Sequence, residues 1–242
     1  MHDLTSFSLK DMTECGIELR HLGEGARSFE DMAQRMVTHL HATLYDSVTK
    51  KPACALVRLF KTHPYAHLTP DLQRFAAEVV GTPPPPRMKC LTLLGSAGDR
   101  SEWNGRRQSK HFKAIPVHGK GFITQFPMFS QLLSQFGLEL DEALKPGSEL
   151  LLEHDEVHYN VFFVPEASGS PYVPAQAQFV IPHGIRSVIG FGSPLPSGDL
   201  FAVILFSKVP LSRENADLFK TLSLSAKLAL LPFDGPSVFS AP

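Results

Sequence analysis

The chain of 242 residues has a formal charge of −1, with 43% apolar and 19% charged residues. This composition excludes a disordered chain, and the lack of a basic surplus argues against nucleic-acid binding or an anionic membrane surface as partner. The less usual counts are 18 Phe, 20 Pro and 11 His. They indicate an apolar interior and long constrained loops, and they require a test of each histidine as a metal or haem ligand.

Three cysteines, Cys15, Cys54 and Cys90, are odd in number and form no CxxC pair. Cys54 and Cys90 lie in apolar runs, which is typical of small core residues in a reducing compartment. Residues 1–10 contain no apolar signal-peptide core, and no apolar run approaches the roughly 18 residues of a membrane span. We therefore expect a cytoplasmic protein without a membrane partner.

The first half of the chain predicts helices and strands in alternation. Residues 1–27 show little periodicity and predict an arm that packs on the body or on a second subunit. Ser28 is a good N-cap for an amphipathic helix that extends to about Ser47. The next elements, in order, are a strand at 53–60 interrupted by Arg58, a helix opened by Thr69 and Pro70 and ended by Gly81, and a strand at 88–94.

The second half begins with a long polar segment, 95–113, followed by a helix from Pro127 and a strand at 157–164. A Pro-rich loop at 165–184 precedes the clearest pattern in the chain. This pattern is a hairpin, with strands at 185–195 and 200–207, and a helix at 212–231 that begins at the N-cap Ser212. Residues 232–242 form a C-terminal tail.

Strands beside a hairpin, with helices at both ends, predict an α+β fold in which helices flank a central antiparallel sheet. The stretch IRSVIGFGSPLPSGDLFAVILFSKVPLSRENADLFKTLSLSAKLAL resembles the last two strands and the closing helix of GAF domains. The resemblance covers residues 28–231 as one domain and is strongest over 179–231. It implies a GAF/PAS-like sandwich with long loop insertions.

Three further segments, LTLLGSAGDRSEWN, YNVFFVPEASGSPYVPAQ and FVIPHGIRSVIGFG, resemble the input region of bacterial signalling proteins such as sensor histidine kinases. The resemblance implies a ligand between the sheet and the loops that cover one face, here 95–125 and 165–184. It also implies a homodimer through the terminal helices. No output domain follows in the sequence, so we expect the signal to pass to a separate protein.

The histidines mostly fail the spacing rules for metal chelation. His39 and His41 are two apart on a predicted helix and point to different faces. His154 and His158 would share a face at the head of a strand, but neither an HExxH motif nor a downstream PCxxC accompanies them. Solvated histidines explain this pattern more simply than a metal pair does, and only His111 and His183, each in a candidate pocket loop, remain as candidates.

Two segments carry candidate ligand-binding residues. In the first, Trp103, Asn104, Arg107 and His111 place cations beside an aromatic ring, an arrangement that receives anionic or planar ligands. In the second, polar groups stand among apolar ones, as in most ligand pockets; these are Tyr159, Asn160, Tyr172, His183 and Arg186. The competing interpretations are a solvated loop for the first segment and a structural lid for the second.

The sequence therefore predicts a sensory or regulatory module that binds a small molecule, with no cofactor identified. No nucleophile motif is present, so a binding module is favoured over an enzyme. Two alternatives remain: an enzyme on the same fold that uses His111 or His183, and a haem or metal sensor that draws its ligands from His111, His154, His158 and His183.

Overall fold

A computed structural model describes residues 1–117, 128, 130–131, 161–235 and 238–240. The elements, in chain order, are β1 (His2–Asp3), α1 (Leu9–His21), α2 (Phe29–Thr43), β2 (Leu44–Asp46), β3 (Lys51–Pro52), β4 (Cys54–Pro64), α3 (Pro70–Val80), β5 (Lys89–Gly98), β6 (Ala114–Pro116), β7 (Phe162–Val164), β8 (Ser187–Pro194), β9 (Leu200–Ser207) and α4 (Arg213–Leu230).

In the described part of the chain, the central sheet has six strands in the order β6-β5-β4-β9-β8-β7, and every neighbouring pair is antiparallel. The central pair, β4 and β9, comes from distant parts of the chain, so the hairpin β8–β9 closes the sheet against the N-terminal half. A small second sheet joins β1, β2 and β3. The predicted α+β class with an antiparallel sheet is confirmed.

Helices α1, α2 and α4 cover one face of the sheet. Alternate residues of β4 explain this layer, since Val57 and Leu59 join the helix-side core with Phe191 and Phe219, whereas Leu56 and Phe60 join a separate cluster on the opposite face. The helix-side core also takes in Cys15 and Cys54, and all three cysteines are free and buried.

The opposite face of the sheet is covered by irregular chain. Segments 99–113 and 165–186 lie over it, and their side chains Trp103 and Phe179 pack against the cluster that contains Ile204 and Phe206. The stretch Gln176–Val180, expected as loop, forms one turn of π-helix. Among the described helices, none is long and apolar enough to cross a membrane.

The N-terminal arm predicted at 1–27 packs on the body and carries a helix that the sequence analysis did not predict. Ser8 and Asp11 form a capping box at the start of α1, and Met12, Cys15 and Leu19 enter the same core as the rest of the helix layer. The arm is therefore part of the main core.

The predicted helix at 28–47 is wrong at its C-terminal end. Helix α2 ends at Thr43, and the chain continues as strand β2, which pairs with His2–Asp3 on one side and Lys51–Pro52 on the other. Leu44 is fully buried at this junction. Its spacing from Leu40 suits a helix, and tertiary strand pairing overrides that local preference.

Candidate functional site

A cavity of about 530 Å³ lies between the outer face of the central sheet and the irregular segments that cover it. The sheet contributes Leu56, Arg58 and Phe60 from β4 and Ile204 and Phe206 from β9. The cover contributes Arg100, Glu102, Trp103, His111, Phe112, Pro174, Ala175, Gln178, Phe179 and His183, with Met128 at one side. Most of these groups are apolar or aromatic, and the polar ones are two arginines, one glutamate, two histidines and Gln178.

Four rings form a continuous aromatic cluster along one wall of the cavity. Trp103 lies edge-on to His183 at 4.6 Å between ring centroids and to Phe179 at 5.5 Å. Phe179 in turn meets Phe206 of β9 at 5.0 Å, with the ring planes almost perpendicular. Edge-to-face pairs of this kind stabilise the cover on the sheet and leave planar surfaces for a ligand.

The position of Trp103 follows from a tight turn directly after β5. Gly98 lets the indole approach the strand, since a Cβ at this position would lie 2.9 Å from Trp103 Cε3 and 2.7 Å from the Ala55 carbonyl oxygen. Asn104 closes the turn because its Oδ1 accepts from Gly98 N at 2.9 Å and its Nδ2 donates to Arg100 O at 3.1 Å. Ser96 Oγ donates to Trp103 O at 2.6 Å.

The second covering segment is fastened by one amide side chain. Gln176 Nε2 donates to the carbonyl oxygens of Ala167, Ser170 and Val173 at 3.0, 3.3 and 2.8 Å, and Gln176 Oε1 accepts from Gly169 N at 2.9 Å. This amide gathers the Pro-rich loop into a compact turn directly before Phe179 and His183. The loop is thus ordered by its own hydrogen bonds.

Arg58 supplies a positive charge from the sheet itself. Its Nη2 donates to Ser109 Oγ at 3.1 Å, and Ser109 Oγ donates onward to His111 O at 3.0 Å. Arg58 Nε is buried, and no described residue forms a hydrogen bond with it. Burial lowers the pKa of Arg58 to about 10, so the guanidinium remains charged at neutral pH.

A second cation at the cavity, Arg100, is exposed and already has a carboxylate partner. Its Nε donates to Glu102 Oε1 at 2.5 Å, and its guanidinium carbon lies 5.9 Å from the Trp103 ring. With the histidines neutral, the described lining therefore carries two positive charges and one negative charge.

The structure brings together three of the sequence-predicted site residues, Trp103, His111 and His183, on the cavity wall. Asn104 supports the turn beneath Trp103. The remaining described candidates, Arg107, Tyr172 and Arg186, are exposed and do not belong to the described lining. Tyr159 and Asn160 lie outside the described residues.

Sequence reasoning missed Arg58 and Phe179 as site residues. The sequence does contain a signal for Arg58, since a single arginine interrupts the apolar run at 53–60. An uncompensated charge inside a central strand requires a partner or a cavity. Phe179 has no comparable signal, because an aromatic residue in a loop is ordinary.

The alternatives based on metal or thiol chemistry find little support in the described residues. His154 and His158 lie outside them, and neither His111 nor His183 joins a described group of three ligand-type side chains; such groups occur around His2. Burial raises the pKa of Cys54 and of Cys90 to about 12, so both thiols stay protonated at neutral pH.

Comparison with known proteins gives structural likenesses only. No protein-family model matches the sequence, and no curated protein matches it. One solved structure with a similar fold is CepR2, an N-acylhomoserine lactone dependent LuxR family transcription factor from Burkholderia cenocepacia, with 13% sequence identity and a TM-score of 0.47 over 92% of this chain and 97% of that one. A second is the GAF domain from an Acinetobacter phosphoenolpyruvate-protein phosphotransferase, with 10% identity and a TM-score of 0.44 over 93% of this chain and 94% of that one. A third is the phycocyanobilin-bound GAF domain from a cyanobacterial phytochrome, with 7% identity and a TM-score of 0.44 over 92% of this chain and 94% of that one.

Solved GAF domains are thus among the structural neighbours of this chain.

Proposed function

We propose that this chain is a GAF-like sensory module that binds a small molecule in the cavity on the outer face of its sheet. The observation that supports the proposal is the contrast between the two faces. Helices fill the space over one face, whereas ordered but irregular chain encloses a volume of about 530 Å³ over the other. This volume lies within the range of roughly 300–1,000 Å³ of small-molecule sites.

The cover and the helix layer are connected through strand β8. The segment that carries Phe179 and His183 runs directly into this strand, and β8 packs on α4, where Ser223 Oγ donates to Gly192 O at 2.7 Å. A ligand that binds one arrangement of the cover more tightly would bias the packing of β8 against α4. The size of that bias equals the difference in affinity for the two arrangements.

A change in the packing of β8 against α4 would alter an interaction that the terminal helices make with another chain. Helix α1 packs along α4, with Gly16 close to Ser225. Exposed leucines at 224 and 228 lie on α4. We place homodimerisation at this surface, with transmission to a separate signalling protein as the consequence of altered helix packing.

Binding to the cavity can be tested with N-phenyl-1-naphthylamine, an uncharged aromatic fluorophore. The chain has a single Trp, and Trp103 lines the cavity, so a probe bound there must quench its emission by energy transfer. We expect saturable binding of one probe per chain with quenching of Trp103 at matching concentrations.

A matched pair of substitutions assigns the site. Ile204→Phe adds bulk to the cavity wall, whereas Ile181→Phe adds the same bulk at a side chain that is 66% exposed. Ile204→Phe should weaken probe binding by about fivefold or more, and Ile181→Phe should leave it unchanged, because an overfilled site loses room for the ligand. Failure of the probe to bind, or equal affinity in both variants, would overturn the proposed function.

A further inference from the structure

Arg58 is half-buried on the cavity wall, and it differs from the buried cations in the described residues. Lys61 and Arg106 are each at most 5% exposed, and both have carboxylate partners: Lys61 Nζ lies 2.5 Å from Asp199 Oδ2, and Arg106 Nε lies 2.8 Å from Glu30 Oε1. Within the described residues Arg58 forms no ion pair, and its one hydrogen bond is to a neutral hydroxyl.

Among the described residues, nothing compensates the charge of this arginine. Burial is the cause that lowers the pKa of Arg58, and no carboxylate of the described part of the chain acts on it. The carboxylate that the described lining does offer, Glu102, is already bound to Arg100. A desolvated charge without a counterion is costly, and no carboxylate of the described residues pairs with Arg58, so an anionic group on a bound ligand would satisfy it.

The guanidinium is also held in place for such a partner. Ser109 Oγ accepts a hydrogen bond from Arg58 Nη2 and so holds the guanidinium in place, and Ser109 is itself only 2% exposed. A guanidinium offers five N–H donors in a planar fork, so one bond to Ser109 leaves donors for a second group. Planar oxyanions match this fork in two parallel hydrogen bonds.

The surroundings of Arg58 define the rest of the ligand. Leu56, Ile204 and Phe206 form the apolar floor beside it, and the rings of Trp103 and Phe179 form the adjoining wall. We infer that the ligand is an amphiphilic acid, with an apolar or aromatic body against this wall and one carboxylate, phosphate or sulfonate group paired with Arg58. This inference rests on the proposed function, of which it names the ligand class.

Two probes that differ in one chemical group test the preference for an acid separately from the proposed binding of a small molecule in the cavity. The probe 8-anilino-1-naphthalenesulfonate is N-phenyl-1-naphthylamine with a sulfonate added, and energy transfer from Trp103 reports whether either one occupies the cavity. Wild-type protein should bind the sulfonate at least about tenfold more tightly than the neutral probe, as expected for a charge-assisted pair.

Arg58→Gln should remove most of that preference, weakening the sulfonate by about tenfold or more while changing the neutral probe by less than about twofold. Arg58→Lys, which keeps the charge without the fork, should give an intermediate affinity for the sulfonate. The control is Arg74→Gln, which removes an exposed arginine on α3 and should change neither probe.

Each remaining outcome counts against a specific claim. Equal binding of the two probes by the wild type, or an unchanged sulfonate affinity in Arg58→Gln, would overturn the acid inference and leave the cavity function standing. Equal loss of both probes in Arg58→Gln and in Arg58→Lys would show that Arg58 only supports the structure, which also overturns it. Binding of neither probe by the wild type would overturn the proposed function together with the inference.

Discussion

His63, at the C-terminal end of β4, is a buried histidine kept neutral by its surroundings. Burial and the nearby charge of Lys61 lower its pKa from 6.5 to about 4, against the opposing effect of Asp199, whose Oδ2 lies 4.0 Å from the His63 Nδ1. His67 and Lys89 also face it and act in the same direction as Lys61. The ring packs edge-on to Phe239 at 5.4 Å between centroids.

This environment predicts a loss of stability in mild acid. The unfolded chain binds a proton at His63 as the pH falls below about 6.5, whereas the folded chain does so only near 4, so the free energy of unfolding falls through this window. The contribution between pH 7 and pH 4.5 should be about 2–3 kcal/mol. It is measured by urea denaturation at both pH values in the wild type and in His63→Leu.

The His63→Leu variant should lose less stability than the wild type over this interval, by that amount. His21→Leu is the matched control, because His21 on α1 is exposed and is not among the groups that act on His63, and its loss should equal that of the wild type. If His63→Leu and wild type show the same dependence on pH, His63 is not held neutral by the fold.

The candidate site shows which residue properties a sequence reveals. Trp103, His111 and His183 were predicted because polar and aromatic groups cluster in two loops, and all three line the cavity. Arg107 and Arg186 have the same chemistry but are exposed, since local pattern does not fix which way a loop residue faces. The spatial meeting of Arg58 with these loops depends on the pairing of distant strands, which no local pattern encodes.

At the scale of elements, local signals succeeded where they agreed with the tertiary structure. Strand β9 and the closing helix α4 were predicted to within one residue at their start, because alternation, a Gly-containing turn and a Ser N-cap all agree there. Helix α1 was missed because its capping box is followed by a weakly apolar sequence. Its burial comes from packing on α4, where a Cβ at Gly16 would lie 2.7 Å from Ser225 Oγ.

The C-terminal segment 238–240 acts as a strap across the start of α2. Val238 O accepts from Glu30 N at 2.9 Å, and Ser240 N donates to Glu30 Oε2 at 3.0 Å. Phe239 lies between these bonds with its ring 5.5 Å from the Arg106 guanidinium. The strap thus helps to shield the Arg106–Glu30 ion pair from water.

Removing the aromatic ring should loosen this strap. Phe239→Ala should lower the free energy of unfolding by about 1–2 kcal/mol, less than a fully buried Phe→Ala change because the ring is only partly buried. Equilibrium urea denaturation provides the measurement. Val48→Ala, at a side chain that is 87% exposed, should stay within about 0.5 kcal/mol of the wild type; an equally small change in Phe239→Ala would show that the strap contributes nothing.

On the scale of the whole molecule, the two faces of the sheet differ in how their space is filled. The helix layer takes the larger apolar core and fixes the fold, while the outer face combines a smaller core with the cavity. Ligand-dependent changes would therefore arise on the outer face and reach the helices through β8. Under this proposal, the outside of α1 and α4 would be the surface that receives them.

The solvent-facing side of helices α1 and α4 carries apolar side chains that the monomer leaves in water. Leu224 and Leu228, one helical turn apart on α4, are 42% and 45% exposed, and Ile17 on α1 is 44% exposed. Leu230, two residues further along α4, is fully buried instead. A symmetric contact through these residues would remove apolar area from water in both copies at once.

The protein should accordingly behave as a dimer in solution, and sedimentation equilibrium should give twice the monomer mass. The double variant Leu224→Glu and Leu228→Glu should raise the dimer dissociation constant by at least about tenfold, because it places like charges against each other in the contact. The control is Val79→Glu with Val80→Glu, an adjacent pair on α3 that is 38% and 42% exposed; this variant should stay dimeric. A monomeric wild type, or equal dissociation of the two double variants, would remove the α1–α4 surface as the dimer interface, and the ligand signal would then have to leave the domain by another face.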